Sequence, residues 1–166
     1  MYRSRLASRF AIPIALLPAF GLTAVRAETE QVKVAIPDFA YTDTSGEPSD
    51  QAAAHRKRLQ AFMGALRADF ESDHAFRLLP SSCPPLCADD VQRPAALLQA
   101  AAKNDAKVVV AGGIQKLSTL IQWAKVTAFD VETNRVVFDR LFTFRGDNDE
   151  AWRRAESFIS AQLAAP

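Results

Sequence analysis

The first 27 of this chain's 166 residues fix the compartment in which the rest must fold. Arg3, Arg5 and Arg9 give a positive front, Phe10 to Val25 is apolar and uncharged, and Val25 and Ala27 form a small-residue cleavage pattern before Glu28. That arrangement reads as a cleavable secretory signal. Pro13, Pro18 and Gly21 interrupt the apolar run, and no later segment reaches the roughly 20 apolar residues that a membrane helix needs. The expectation is a periplasmic protein with no membrane span once the signal is removed, whose residues 28–166 form one domain.

Those remaining 139 residues are enough to bury a sizeable core. Four of the 20 basic residues and none of the 19 acidic ones lie in the signal, so the precursor's charge of +1 becomes −3 in the mature chain. Nucleic acid and anionic membranes select for clustered Lys and Arg, so this balance argues against both as partners. The one basic cluster, Arg56, Lys57 and Arg58, sits on an amphipathic helix and reads as its solvated face.

Periodicity then gives the elements in order. Gln31–Ala40 is an apolar strand that runs into the turn-forming stretch Thr42–Pro48, and Leu59, Phe62, Met63, Leu66 and Phe70 make the buried stripe of a first helix. Ala75–Leu79 is a short second strand, and a second helix starts near Pro94 and carries Leu97, Leu98 and Ala101. Lys107–Leu117 is a valine-rich strand covered on both faces, and Leu120–Val131 and Arg135–Phe144 form a hairpin turning at Asn134. A last helix begins at Asp147, with Glu150 placed as in a capping box and with Trp152, Ala155, Phe158, Ile159 and Leu163 facing the core. Trp123 is likewise read as core.

This order predicts a three-layer α/β domain with three helices and a mixed five-stranded sheet of order 2-1-3-4-5, strand four antiparallel. The loops after strands one, two, three and five then share the sheet's carboxyl edge, where open α/β sheets bind ligands and partners. Asp43, Ser45, Glu47, Lys116, Ser118, Arg145 and Asp147 are the candidate binding residues there. Lys116 and Arg145 are expected to stand close together as cationic anchors for an acidic patch on a partner, unless each pairs with a local acid.

Ile36-Pro37-Asp38-Phe39 with Thr44-Ser45-Gly46-Glu47, the run Gly113 to Ser118, and the run Phe144 to Trp152 resemble an uncharacterised family of bacterial secreted domains of unknown function. The likeness covers nearly the whole mature chain. More distantly, the element order is similar to the amino-terminal domain of TolB, which implies a periplasmic interaction module. TolB's large β-propeller has no counterpart here, so its particular partners do not carry over.

Cys83 and Cys87 flank Pro84, Pro85 and Leu86, and in an oxidising compartment such a pair reads as a structural disulfide. A redox-active pair is the sharper alternative, although three intervening residues with two prolines depart from the usual two-residue spacing. His55 and His74, placed at the two ends of the first helix, raise the count of zinc ligands to four but are scattered; each reads as a solvated histidine. Ser45 and Gly46 lack the context of a nucleophile elbow or a phosphate loop. No metal or cofactor is therefore expected. The reading is a non-enzymatic accessory domain that binds another periplasmic or envelope protein, with a redox or small-ligand protein built on Cys83 and Cys87 or on the edge loops as the alternative.

Overall fold

The computed structural model describes residues 30–80 and 94–165. The segment expected to be a signal, with its expected cleavage site, and the Cys83–Cys87 segment lie outside the described residues. The elements run β1 (Val32–Ala35), β2 (Ala40–Asp43), α1 (Ala52–Ser72), β3 (Phe76–Leu79), α2 (Pro94–Lys103), β4 (Val108–Lys116), β5 (Ile121–Asp130), β6 (Arg135–Arg145) and α3 (Asp149–Ala164). Among the described residues no helix is long and apolar enough to cross a membrane.

The sheet order is β3-β1-β4-β5-β6, with β2 also paired to β4. β1 lies parallel to β3 and β4, while β5 runs antiparallel to both β4 and β6. This is the expected mixed sheet with one strand added, because the anticipated first strand is two. Val34 and Ala35 pair with Val108 and Val109, but Ala40 pairs with Gly113, so the first chain spends one more residue than β4 over the same stretch. Pro37, which has no N–H to give a ladder, sits in the break. The extra residue turns Phe39 inward over Gly112, where a Cβ would stand 2.6 Å from the ring. β4 runs unbroken through Gly112 and Gly113. Asn134 adopts φ 55°, the left-handed conformation the β5–β6 hairpin requires.

α1 and α3 cover one face of the sheet. Phe62, Met63, Leu66 and Phe70 of α1, with Trp152 and Ile159 of α3, pack on Val34, Ile36, Phe39, Val110, Ile114, Ala124, Val126 and Ala128. α2 covers the other face, but its ten residues reach only Ala35, Val109, Ala111 and Phe129. Among the described residues no helix covers the carboxyl-edge part of that face, and Trp123 is 38% exposed instead of in the core. Phe158, expected in the buried stripe of α3, is 59% exposed on the helix's outer flank.

Candidate functional site

The loops at the carboxyl edge close over a buried polar cluster on the α1/α3 side. Lys116, the last residue of β4, pairs in register with Gln122 of β5, which pairs with Phe144 of β6, so all three side chains point toward the helices. The Lys116 side chain is fully buried. Its ammonium donates to Glu47 from the loop after β2, to Gln51 Oε1 at 3.1 Å and to Asp147 Oδ2 at 2.7 Å. Asp147 also meets His55 Nε2 at 2.9 Å and accepts from Arg58 at 2.7 Å. Arg58 reaches on to Asp149 at 2.9 Å, and Gln122 donates to the Gly146 carbonyl at 2.9 Å. Glycine is required at 146 because φ is 105°, and this turn is what delivers Asp147 beneath the loop.

Helix periodicity explains why α1 supplies so much of the cluster. Gln51, His55 and Arg58 are spaced i, i+4, i+7 and so share one stripe at the helix start. Aromatic rings wall the cluster from the core: the Tyr41 ring is 4.7 Å from His55 and 5.9 Å from Trp152. Tyr41 OH, Gln122 Oε1 and Trp152 Nε1 are buried without a hydrogen-bond partner. Burial, reinforced by the nearby Asp43 and Asp147, drives the Tyr41 hydroxyl far above its usual range, so it stays protonated.

Burial opposes charge on Lys116, but its bonds to Asp147 and Glu47 outweigh it and raise its pKa. Burial likewise opposes ionisation of Asp147, and hydrogen bonds from Lys116 and His55 outweigh it, holding the carboxyl below the usual range. An ammonium has three N–H donors and no acceptor. All three of Lys116's donors find oxygens, and a protonated amine with no free lone pair is not a nucleophile or base. The chemistry of the cluster is that of a clamp: it ties the loop after β2, the start of α1 and the turn before α3 to the end of β4.

The candidate residues therefore separate. Glu47, Lys116 and Asp147 come together, whereas Arg145 pairs with Ile121 and projects from the opposite face of the sheet, exposed. Lys116 and Arg145 do not form a cationic pair; Lys116 is paired with Glu47 of the first loop, the local acid weighed against that expectation. Asp43 and Ser45 make a local turn, with Asp43 Oδ1 accepting from Ser45 N at 2.9 Å and Oγ at 2.6 Å. Ser118 caps its own turn toward Ile121 at 3.1 Å. Asp147 is not the cap of α3: Asn148 is, accepting from Ala151 N at 2.9 Å. His55 is 2% exposed, not solvated, and Arg58 joins the cluster instead of lying on a bare helix face. Gln51, Gln122 and Tyr41 were not among the expected site residues. Gln122 had a signal, as a polar residue beginning the inward-facing series Ala124, Val126, Ala128. Among the described residues, no three metal-ligating side chains gather as a site.

Sheet order, helix placement and the closed edge define a three-layer α/β domain with a mixed sheet. The chain belongs to the family described as "protein of unknown function (DUF2380)", which it matches over residues 32–163. Among solved structures it is similar to the hypothetical protein CT253 from Chlamydia trachomatis, at 14% identity and a TM-score of 0.55, covering 82% of this chain and 100% of that one. Lipoprotein GNA1162 from Neisseria meningitidis superimposes with a TM-score of 0.52 at 11% identity, over 80% of this chain and 96% of the lipoprotein. TolB from Acinetobacter baumannii gives a TM-score of 0.50 at 13% identity, over 81% of this chain but 27% of TolB. At these identities the likeness is one of fold. No curated protein matches the chain.

Proposed function

We propose that this is a non-enzymatic accessory domain of the bacterial envelope, exported through its amino-terminal signal, that binds another envelope protein along the carboxyl edge of its sheet. The observation that carries this is the clamp around Lys116. Its ionic groups are spent on one another, which suits a rigid loop platform better than acid–base or amine chemistry. A platform whose loops are held in place loses little entropy when a partner docks. The envelope setting draws support from the lipoprotein GNA1162 among the fold relatives and from the signal-like amino terminus.

With Lys116 withdrawn, the exposed rim charges of the loops that pack on it are, among the described residues, acidic: Asp43 is exposed and Asp149 is 80% exposed. Such a rim suits a basic patch on the partner, the reverse of the sign expected when Lys116 and Arg145 were its anchors. The test is photo-crosslinking in the periplasm from single positions. Probes at Asp43 and Ser118 should give a discrete adduct with a second envelope protein, while probes at Asp105 and Glu132, at the opposite edge, should not. Adducts only from the opposite edge, or equally from both, would overturn the proposal.

A further inference from the structure

Large apolar side chains exposed on this domain are not scattered. Among the described residues seven stand out, and six of them, Leu120, Trp123, Val136, Val137, Leu141 and Phe158, gather on the β5–β6 side, with Val32 elsewhere. β6 is eleven residues long and pairs with β5 alone among the described residues, so its outer edge offers unpaired backbone N–H and C=O groups. Apolar surface flanks that edge on both faces. Leu141 lies on one, in register with Lys125. On the other, Phe142 meets the exposed Phe158 of α3 at 6.0 Å, and Arg140 lies over the Phe138 ring at 5.3 Å. A long edge with apolar surface on both sides is built to receive another strand.

We infer that the occupant is a second copy of this chain, β6 pairing antiparallel with β6 about a two-fold axis at Phe142. The charge pattern selects this register. Pairing centred on Asp139 sets two aspartates face to face, and pairing centred on Arg140 sets Arg140 against itself and Arg135 against Arg145. Centring on Phe142 places Asp139 opposite the second copy's Arg145, twice by symmetry, with Leu141 opposite Thr143 and Arg140 opposite Phe144. Arg145 suits that role: it is exposed, and among the described residues no side chain forms an ion pair with it, whereas Asp139, half-exposed, holds Lys125 and Thr127 with room for a further cation. Opposite charges across the strand pair favour the register centred on Phe142, and like charges penalise those centred on Asp139 and Arg140. A two-fold contact of this kind closes on itself, so the product is a dimer and not a filament. The Phe158 rings of the two copies then approach across the same axis on the helical face.

This surface is separate from the carboxyl-edge platform, so either proposal can fail alone. The test is sedimentation equilibrium of the mature protein up to roughly 1 mM, where weak association still registers. The expected result is a monomer–dimer equilibrium that weakens about tenfold or more in Arg145→Asp and in Asp139→Arg and recovers in the doubly swapped chain. Thermal midpoints guard against counting unfolding as dissociation. Arg145→Asp removes no side-chain ion pair among the described residues, so that variant remains decisive if Asp139→Arg fails to fold. A wild-type protein that stays monomeric throughout, a dimer indifferent to Arg145→Asp, or a folded double swap that does not recover would each overturn the inference.

Discussion

The ring of Phe39 rests against the backbone of Gly112, so closely that a Cβ there would meet both Phe39 Cε2 and Cζ at 2.6 Å and the Lys125 carbonyl at 2.8 Å. A flexible tip can give way; a backbone carbonyl within a paired strand cannot do so cheaply. Gly112→Ala should therefore lower stability by about 1–3 kcal/mol, as overpacking does. Gly113→Ala, whose nearest neighbour would be the Ala40 carbonyl at 3.4 Å, should cost much less. Urea unfolding of the two variants checks the contrast.

Glu156 lies 3% exposed on α3, and its Oε1 has no partner. Burial, helped by Asp69 and partly offset by Arg153, pushes its carboxyl up from the ordinary 4.5 to about 7. An acid whose pKa rises on folding favours the folded state while protonated. Stability should thus fall as pH rises from about 4.5 to about 7 and level off above, by on the order of 3 kcal/mol. Thermal melts across that range should show the slope, and Glu156→Gln should remove it. Equal slopes in the two proteins would refute the assignment.

Lys116→Met should be among the more damaging single changes, at about 3 kcal/mol, because it leaves the half-buried Glu47 without its cation and Asp147 with Arg58 but not Lys116. The pH signature has the opposite sign to that of Glu156. Asp147 is held below the usual range, so its contribution is present above the ordinary carboxylate pKa and lost as pH falls through the lower folded value. Acid titration followed by circular dichroism should show loss of this contribution moving to higher pH in the variant.

Asn148→Ala removes the side-chain acceptor for Ala151 N at the start of α3 and should cost about 1 kcal/mol. Replacing Asn148 with Asp should retain most of that. Chemical denaturation of both variants separates a cap from a bystander.

The hydrophobic period made the topology legible, because a helix stripe and a strand run differ in repeat and the crossover rule then leaves few orders to choose from. Contacts across long stretches of sequence were not legible. His55 meets Asp147 from 92 positions away, and no local pattern announces that a histidine near a polar helix start will be roofed by a later turn. Asp147 and Asn148 are both good caps, and only the turn at Gly146 decides which of them is spent on the helix. Lys116 read as an exposed strand end because lysine is almost never fully buried unless paired, and its partners come from three separate segments. Trp123 read as core because sequence does not say how far a ten-residue helix reaches across a sheet.

The surplus residue between β1 and β2 works as a parity switch. In β1 the even-numbered Val34 faces α1 and α3, and in β2 the odd-numbered Tyr41 does. An uninterrupted strand alternates sides without exception, so it would have sent Tyr41 to the α2 face and Thr42 toward α1 and α3. Pairing the same residues from Ile36 to Phe39 with β4 one for one, without the break, would deliver the following loop, with Glu47 and Gln51, from the wrong side of the sheet. The lysine at the end of β4 would then be stranded. A single count, made more than 70 positions upstream, decides whether the later buried charge meets its counterions.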